Sequence, residues 1–229
     1  MSGLQTIIDN CQSIEIDRRK VVGLQVTRNE VIRRSLLPTF NPWRFTVTMP
    51  SRFRYNEARQ LLEALDRLDR IEPEKVKFGN KPELAWLFKY QGQMSPQQIS
   101  SITVQSFIGN TLILDNLPAK APTAVLFKPN DLIQIGDRAH PFTVQQEVLR
   151  GSGSTVAILT HRPNILSLNP VGQNITVGAN CEFNLLCVNM PTYRLNPGGF
   201  VRNGFGAVAN NALIEFSSEF QFQEWVATT

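Results

Sequence analysis

The chain has 229 residues, of which 42% are hydrophobic, so it can bury a sizeable core in one large domain or two smaller ones. Three cysteines and two histidines are too few and too scattered for a disulfide framework or a convincing zinc site. No window approaches the roughly 18 apolar residues of a membrane helix, and the N-terminus lacks the order of a secretory signal. These features predict a soluble protein that is assembled in a cytoplasm.

The net charge of +4 is concentrated at the start of the chain. Residues 1–54 hold nine Lys/Arg against four acidic residues, whereas the rest of the chain holds 14 against 15. Such a basic segment suits nucleic acid or an acidic protein surface. Because its arginines stand singly among apolar residues, without a platform of exposed aromatic residues, we expect protein interfaces and no specific nucleic-acid binding.

Three alternating stretches in the first quarter predict strands at Ser13–Asp17, Val21–Val26 and Trp43–Thr48. The intervening segment 29–42 has no settled period and ends in two prolines, so we interpret it as a long excursion that reaches a neighbouring molecule. An amphipathic helix is predicted at about 57–70, lying across a sheet. Its apolar stripe, at spacings of three and four, consists of Ala58, Leu61, Leu62, Leu65 and Leu68.

After this helix the chain reads as strands and turns, with no βαβ rhythm. Glycine turns at about the spacing of sandwiches and barrels separate the strands, and a glycine-rich loop is predicted at 196–206. The predicted strands are Leu84–Tyr90, Ile102–Phe107, Thr111–Leu114, Ala124–Phe127, Leu132–Ile135, Phe142–Leu149, Thr155–Leu159, Phe183–Val188 and Ala212–Phe216, followed by alternating residues up to Trp225.

The hairpin at 128–144 carries the residues that most resemble an active site. Asp131, Asp137 and His140 lie close enough in sequence for an acid–base cluster, which a small hydrolase would need. Roles in turns are the stronger interpretation, because aspartates after Pro-Asn and after glycine commonly bond to nearby backbone. His140 precedes a proline and is expected to be extended. We therefore predict no catalytic residues.

Two further patterns carry little chemistry. The segment 204–209 has the letters of a dinucleotide fingerprint, but no crossover helix follows it to receive a pyrophosphate, so no cofactor is predicted. Cys181 and Cys187 lie six residues apart on one predicted strand, which is too far for a disulfide while the strand stays straight. They are predicted to be core thiols.

The segment 111–165 has a recognisable layout. An apolar strand leads to the turn Lys128-Pro-Asn-Asp131, then to Leu-Ile-Gln-Ile-Gly, a short hairpin into Phe-Thr-Val, a Gly-Ser-Gly turn, and Val-Ala-Ile-Leu before Arg-Pro. This order resembles a small β module in tail proteins of double-stranded DNA bacteriophages. The N-terminal strands with their Pro-Trp strand and helix, and the C-terminal EFSSEFQFQEWV, look like the remainder of those proteins.

The resemblance implies an α+β, predominantly β fold: a tail-tube-like β sandwich or barrel with one amphipathic helix. Residues 1–110 and 176–229 would form the tail-tube-like domain, and residues 111–175 an inserted small β-barrel-like module. It also implies a non-enzymatic structural protein at the junction of the tail tube with the baseplate or tail tip. Such a protein is a tube initiator, a distal-tail protein or a hub protein, and it is located in the virion tail.

The implied partners are the protein itself, in a hexameric or trimeric ring, the tail-tube protein and other baseplate or hub proteins, with no membrane. A ring would hide the sheet edges, which otherwise serve as templates for strand pairing. An alternative stays open, an OB-like module that binds nucleic acid or carbohydrate through the basic N-terminal quarter. The interface candidates are Arg18, Arg19, Lys20, Arg28, Arg33, Arg34, Phe200 and Phe205.

Overall fold

A computed structural model gives the architecture of the protein. Its fold is predominantly β, with antiparallel sheets and a few short helices, which confirms the predicted predominance of strands. The chain divides into two compact units, the first from residues 1–17, 42–76 and 184–226, and the second chiefly from residues 18–41 and 77–183. The structure describes residues 3–18, 22–26, 32–36, 42–50, 53–55, 58–59, 62–63, 72–164, 169–196 and 213–226.

The elements are short and are numbered in chain order. The helices are α1 (Gly3–Asp9), α2 (Pro82–Ala85) and α3 (Pro96–Ser100), with 3-10 turns at Trp86–Phe88 and Gly178–Asn180. The strands are β1 (Ser13–Asp17), β2 (Val22–Val26), β3 (Ile32–Leu36), β4 (Arg44–Thr48), β5 (Phe53–Arg54), β6 (Glu74–Lys77), β7 (Thr103–Ile108), β8 (Thr111–Asp115), β9 (Val125–Phe127), β10 (Leu132–Ile135), β11 (Phe142–Thr143), β12 (Val148–Leu149), β13 (Val156–Leu159), β14 (Ile175–Val177), β15 (Glu182–Asn189), β16 (Tyr193–Asn196), β17 (Leu213–Phe216) and β18 (Phe220–Glu224).

The first unit is built on a five-stranded sheet with the order β1-β4-β18-β15-β6. Alternation decides which face is buried: in β4, Phe45 and Val47 are buried while their neighbours are not, and in β18 Phe220 and Phe222 repeat the pattern. Register aligns these apolar residues, since Phe222 lies opposite Phe45 and Phe220 opposite Val47. One face of the sheet therefore forms a core.

A second sheet in this unit, with the order β16-β17-β5, is covered by part of the predicted helix. Residues 58–59 and 62–63 are helical, and the buried side chains of Ala58 and Leu62 form one cluster with Ile214 of β17. The other residues of the helix predicted at 57–70 lie outside the described residues. The apolar stripe is thus confirmed at its two described positions.

The second unit packs several small sheets around one core. These are β13-β8-β7, β11-β10-β14 and β12-β9, and they share a cluster of buried aliphatic and aromatic side chains. Isolated bridges connect Thr103 with Asn174 and Val144 with Thr160. Among the residues that the structure describes no sheet closes into a barrel, so the barrel form of the expected fold is not seen. The strands are only two to six residues long and end at turns.

The resemblance implies an inserted module at residues 111–175, but the second unit also contains residues that precede this segment. Strand β7 pairs with β8 across the turn at Gly109, and Met94 and Ile102 lie in the shared core. The unit therefore extends back to Lys77.

Three predicted elements are wrong in detail. The strand predicted at 84–90 is instead the end of α2 followed by a 3-10 turn, because Pro82 favours the first turn of a helix. Trp86, which a strand would have to bury on one face, is 68% exposed. The segment 29–42, interpreted as irregular, contains β3, which pairs with β2 in a two-stranded hairpin. The strand predicted at 142–149 is two strands, because β11 pairs with β10 whereas β12 pairs with β9.

Candidate functional site

The turn at 128–131 is held together by a buried carboxylate. Oδ2 of Asp131 accepts a hydrogen bond from the backbone N–H of Lys128 at 2.7 Å, and Oδ1 accepts one from the N–H of Gln91 at 2.9 Å. Burial raises the pKa of the Asp131 carboxyl above its ordinary value, although both hydrogen bonds and the charge of Lys128 oppose this. The interpretation of Asp131 as a residue that closes a turn is confirmed.

The structure also describes the surroundings of Asp137 and His140, the other two residues of the suggested acid–base cluster. Asp137 is exposed, and the backbone N–H of the half-buried His140 donates to the carbonyl of Arg138 at 2.8 Å. His161, the second histidine of the chain, was not part of that cluster; its Nδ1 accepts the N–H of Thr143 at 2.9 Å, which connects the end of β13 to β11. In the described part of the chain, no group of three His, Cys, Asp or Glu side chains is placed to hold a metal ion.

The cysteines behave as predicted. Cys181 and Cys187 are buried, and none of the three cysteines forms a disulfide. The Cys181 thiol donates to the carbonyl of Thr176 at 3.3 Å, and burial raises its pKa, so it stays protonated. These are core thiols.

Arg18 is the interface candidate whose side chain the structure defines best. Its Nη1 donates to Oγ1 of Thr143 at 3.0 Å and its Nη2 donates to Oδ1 of Asn130, both within the second unit. Asn130 has a φ of 71°, a left-handed conformation that asparagine tolerates. Burial lowers the pKa of Arg18. Arg18 therefore fixes the chain at the start of the β2–β3 hairpin to the turn at 128–131.

The remaining interface candidates divide into two groups. Arg33 and Arg34 lie in β3, where the antiparallel register places them opposite Gln25 and Leu24 of β2. The others, Arg19, Lys20, Arg28, Phe200 and Phe205, lie outside the described residues, as does the segment 204–209. A role of these residues at an interface stays a prediction.

An open sheet edge is the feature that the sequence did not indicate. Strand β16 pairs with β17 on one side, and no other described strand pairs with it. Register places Tyr193 opposite Phe216 and Leu195 opposite Ile214, so all four share one face of the sheet. Ile214 is fully buried, yet Tyr193 is 39% and Leu195 is 44% exposed. The apolar layer therefore continues to the edge without cover.

A groove of about 540 Å³ lies beside this edge, within the range of about 300–1,000 Å³ for ligand pockets. At its rim, the exposed Arg59 Nε lies 3.5 Å from Oε1 of Glu63. The Tyr193 ring packs edge-on against Phe216, with 6.5 Å between centroids. We call this surface the edge groove; its lining residues are Tyr55, Arg59, Leu62, Glu63, Met190, Pro191, Thr192 and Tyr193.

No protein-family model matches the chain, and no curated protein matches it. No helix among the described residues is long and apolar enough to cross a membrane. Among the described residues, the edge groove carries features of a protein-binding site, since Tyr193 is exposed and also lines a concave surface.

Proposed function

We propose that the protein is a non-enzymatic structural component of a phage tail that forms a ring where the tube meets the baseplate or tail tip. It would act as a tube initiator, a distal-tail protein or a hub protein. The resemblance of segment 111–165 and of both termini supports the class of protein. The observation that supports the ring is the open edge of β16 with its exposed Tyr193 and Leu195.

A second edge in the same unit supports self-assembly. Strand β1 is the terminal strand of the five-stranded sheet and pairs with β4, its only partner among the described strands. It carries the acidic residues Glu15 and Asp17, whereas β16 carries Arg194. Because the two edges differ, they suit a heterologous contact, in which one surface of a copy meets a different surface of its neighbour. Such contacts close into rings when the rotation between copies allows it.

Negative-stain electron microscopy of the purified protein, alone and with tail-tube protein, tests this proposal. We expect closed rings with a fixed number of copies, three or six, that stack on the end of a tube. Isolated monomers in both samples at high protein concentration would overturn it. Salt-dependent retention on single-stranded DNA, without rings, would favour the alternative of a nucleic-acid-binding module.

A further inference from the structure

We infer that strand β1 of one copy pairs with the open edge of β16 in the next copy, antiparallel and with Glu15 opposite Arg194. This contact rests on the proposed function and deepens it, because it names the two surfaces through which neighbouring copies of the ring would meet. Both strands belong to the first unit, and each pairs on one side only among the described strands. The contact would join the five-stranded sheet of one copy to the sheet β16-β17-β5 of another.

The two edges have matching faces. In β1, Ile14 and Ile16 lie on the buried face of the five-stranded sheet, but they are only half-buried themselves. In β16, Tyr193 and Leu195 lie on the face that the helical residues cover, and both are exposed. Side by side, the two strands would form one continuous apolar face. The contact therefore buries apolar surface that each copy alone leaves in water.

The backbone of β16 presents its outward groups at Tyr193 and Leu195. The N–H of Ser217 donates to the carbonyl of Thr192 at 2.8 Å, so the backbone groups of Thr192 point toward β17. In an antiparallel ladder, the backbone groups of successive residues point to alternate sides of the strand. Those of Arg194 therefore also point toward β17, and those of Tyr193 and Leu195 point out from the edge.

The backbone of β1 presents its outward groups at Ile14 and Ile16. The carbonyl of Thr48 accepts the N–H of Gln12, just before β1, at 2.8 Å, so the even-numbered residues of β4 point toward β1. Their register partners are the odd-numbered residues of β1, which point toward β4 in return. The even-numbered Ile14 and Ile16 therefore point away from the sheet.

One register brings these outward groups together. Antiparallel pairing of Ile14 with Leu195 and of Ile16 with Tyr193 makes two hydrogen-bonded pairs, with about four backbone hydrogen bonds in all. The four residues of β16 then lie within the length of β1, which has five. Both edges thus satisfy their outward backbone groups in the register that also aligns their apolar faces.

Charge favours this pairing over the pairing of like edges. Glu15 and Arg194 are both exposed, and the register places them opposite each other in a non-hydrogen-bonded pair, where side chains are closest. Arg194 also lies opposite Glu215 of β17, so its guanidinium, with five donors, would lie between two carboxylates. If two copies joined through the same edge, the corresponding registers would place Glu15 opposite Glu15, or Arg194 opposite Arg194. The contact is therefore heterologous, and each copy gives one edge and accepts the other.

Charge reversal on each edge tests the pairing. Glu15→Arg and Arg194→Glu each place like charges opposite, so each variant alone should need about tenfold more protein to assemble, measured by light scattering. In an equimolar mixture, contacts between unlike copies join opposite charges again, so assembly should return to the wild-type concentration range. The control is Glu147→Arg, which makes the same change of charge at an exposed site and should assemble like the wild type.

Proline substitution tests the hydrogen-bond register. Ile16→Pro and Leu195→Pro each remove an N–H that points away from the sheet of its own copy, and proline is tolerated at such positions of edge strands. Both variants should therefore fold, as measured by circular dichroism. Both should stay monomeric, because each lacks a donor that the neighbouring copy needs.

Four results would count against the inference. Proline variants that form rings of wild-type size would overturn the β1–β16 contact and leave the ring proposal intact, and so would a mixture of charge variants that assembles no better than each variant alone. Failure of both proline variants to fold would contradict the outward orientation of these N–H groups and overturn the register. Wild-type protein that stays monomeric, even with tail-tube protein, would overturn both the contact and the ring.

Discussion

At the residue scale, Asp131 is expected to contribute to stability through two hydrogen bonds to its buried carboxylate. Asp131→Ala leaves the N–H of the half-buried Lys128 without this acceptor, at roughly 1–3 kcal/mol, whereas the N–H of the exposed Gln91 can bond to water and should cost less. We therefore expect a loss of about 1–3 kcal/mol in the free energy of unfolding, measured by urea denaturation. Glu147→Ala, at an exposed site between β11 and β12, is the control and should change it by less than about 0.5 kcal/mol. Equal losses in both variants would contradict this role.

The raised pKa of Asp131 also predicts a pH dependence. In the folded state the carboxyl keeps its proton to a higher pH than in the unfolded chain, where the pKa is about 3.8. Between those two values the folded state binds more protons, so the contribution of Asp131 to stability falls as the pH rises. Asp131→Asn should remove this part of the slope from unfolding curves collected upward from pH 3. An unchanged slope would show that other carboxyl groups account for it.

Tyr90 offers a spectroscopic signature in the same region. Its hydroxyl donates to the carbonyl of Leu126 and accepts the N–H of Met94 at 3.3 Å, and burial raises its pKa to about 12. We expect absorbance titration of the three tyrosines to show one that ionises near pH 12, and Tyr90→Phe to remove that late step. Persistence of the late step in the variant would mean that Tyr55 or Tyr193 carries it.

At the element scale, two glycines with positive φ allow the stability cost of backbone strain to be compared with the cost of a steric clash. Gly109, at the β7–β8 turn, has a φ of +55° and open space where a Cβ would lie, so Gly109→Ala should cost about 1–2 kcal/mol from strain alone. Gly178, before β15, has a φ of +74°, and a Cβ there would lie 2.9 Å from the backbone nitrogen of Tyr90. Gly178→Ala should therefore cost at least about 1 kcal/mol more. Equal costs in urea denaturation would contradict the close packing at Gly178.

Strands with long, regular alternation could be predicted from the sequence. Strands β4 and β18 each bury one face, and β1, whose Ile14 and Ile16 are half-buried, alternates in the same way along the sequence. The same reasoning wrongly predicted a strand at 84–90, where an apolar run of strand-forming residues follows Pro82 but forms the end of α2 and a 3-10 turn. Helix α1 was also missed, although Leu4, Ile7 and Ile8 are spaced for one buried face.

The edge groove was beyond this kind of reasoning for two reasons. Strand β16 has four residues, and the alternation of Tyr193 and Leu195 with polar neighbours is too short to distinguish a strand from a loop. The groove also joins Tyr55 to Met190, which are far apart in sequence, so only the tertiary structure brings them together. By contrast, the turn role of Asp131 was predictable, because one of the two hydrogen bonds to its carboxylate comes from Lys128 in the same turn, although the other, from Gln91, is distant in sequence.

At the scale of the whole molecule, residues 18–41 contain six Lys/Arg against one acidic residue, whereas the first unit contains 12 acidic residues against nine basic ones. We therefore expect the proposed assembly to depend on salt. Raising the ionic strength from about 0.05 M to about 1 M shortens the screening length severalfold and should weaken the attraction between copies. We expect the midpoint concentration for ring formation to rise, as measured by light scattering. A charge-reversed hairpin, Arg33→Glu with Arg34→Glu, should assemble worst at low salt. Assembly that strengthens with salt would indicate that burial of apolar surface dominates the contact.

Sedimentation velocity of the wild-type protein across a range of concentrations tests the ring most directly. Closed heterologous assembly predicts two boundaries, a 25.8-kDa monomer and one larger species of three or six copies, whose mass stays constant as concentration rises. A single monomer boundary at every concentration, or species that keep growing in mass, would contradict a closed ring.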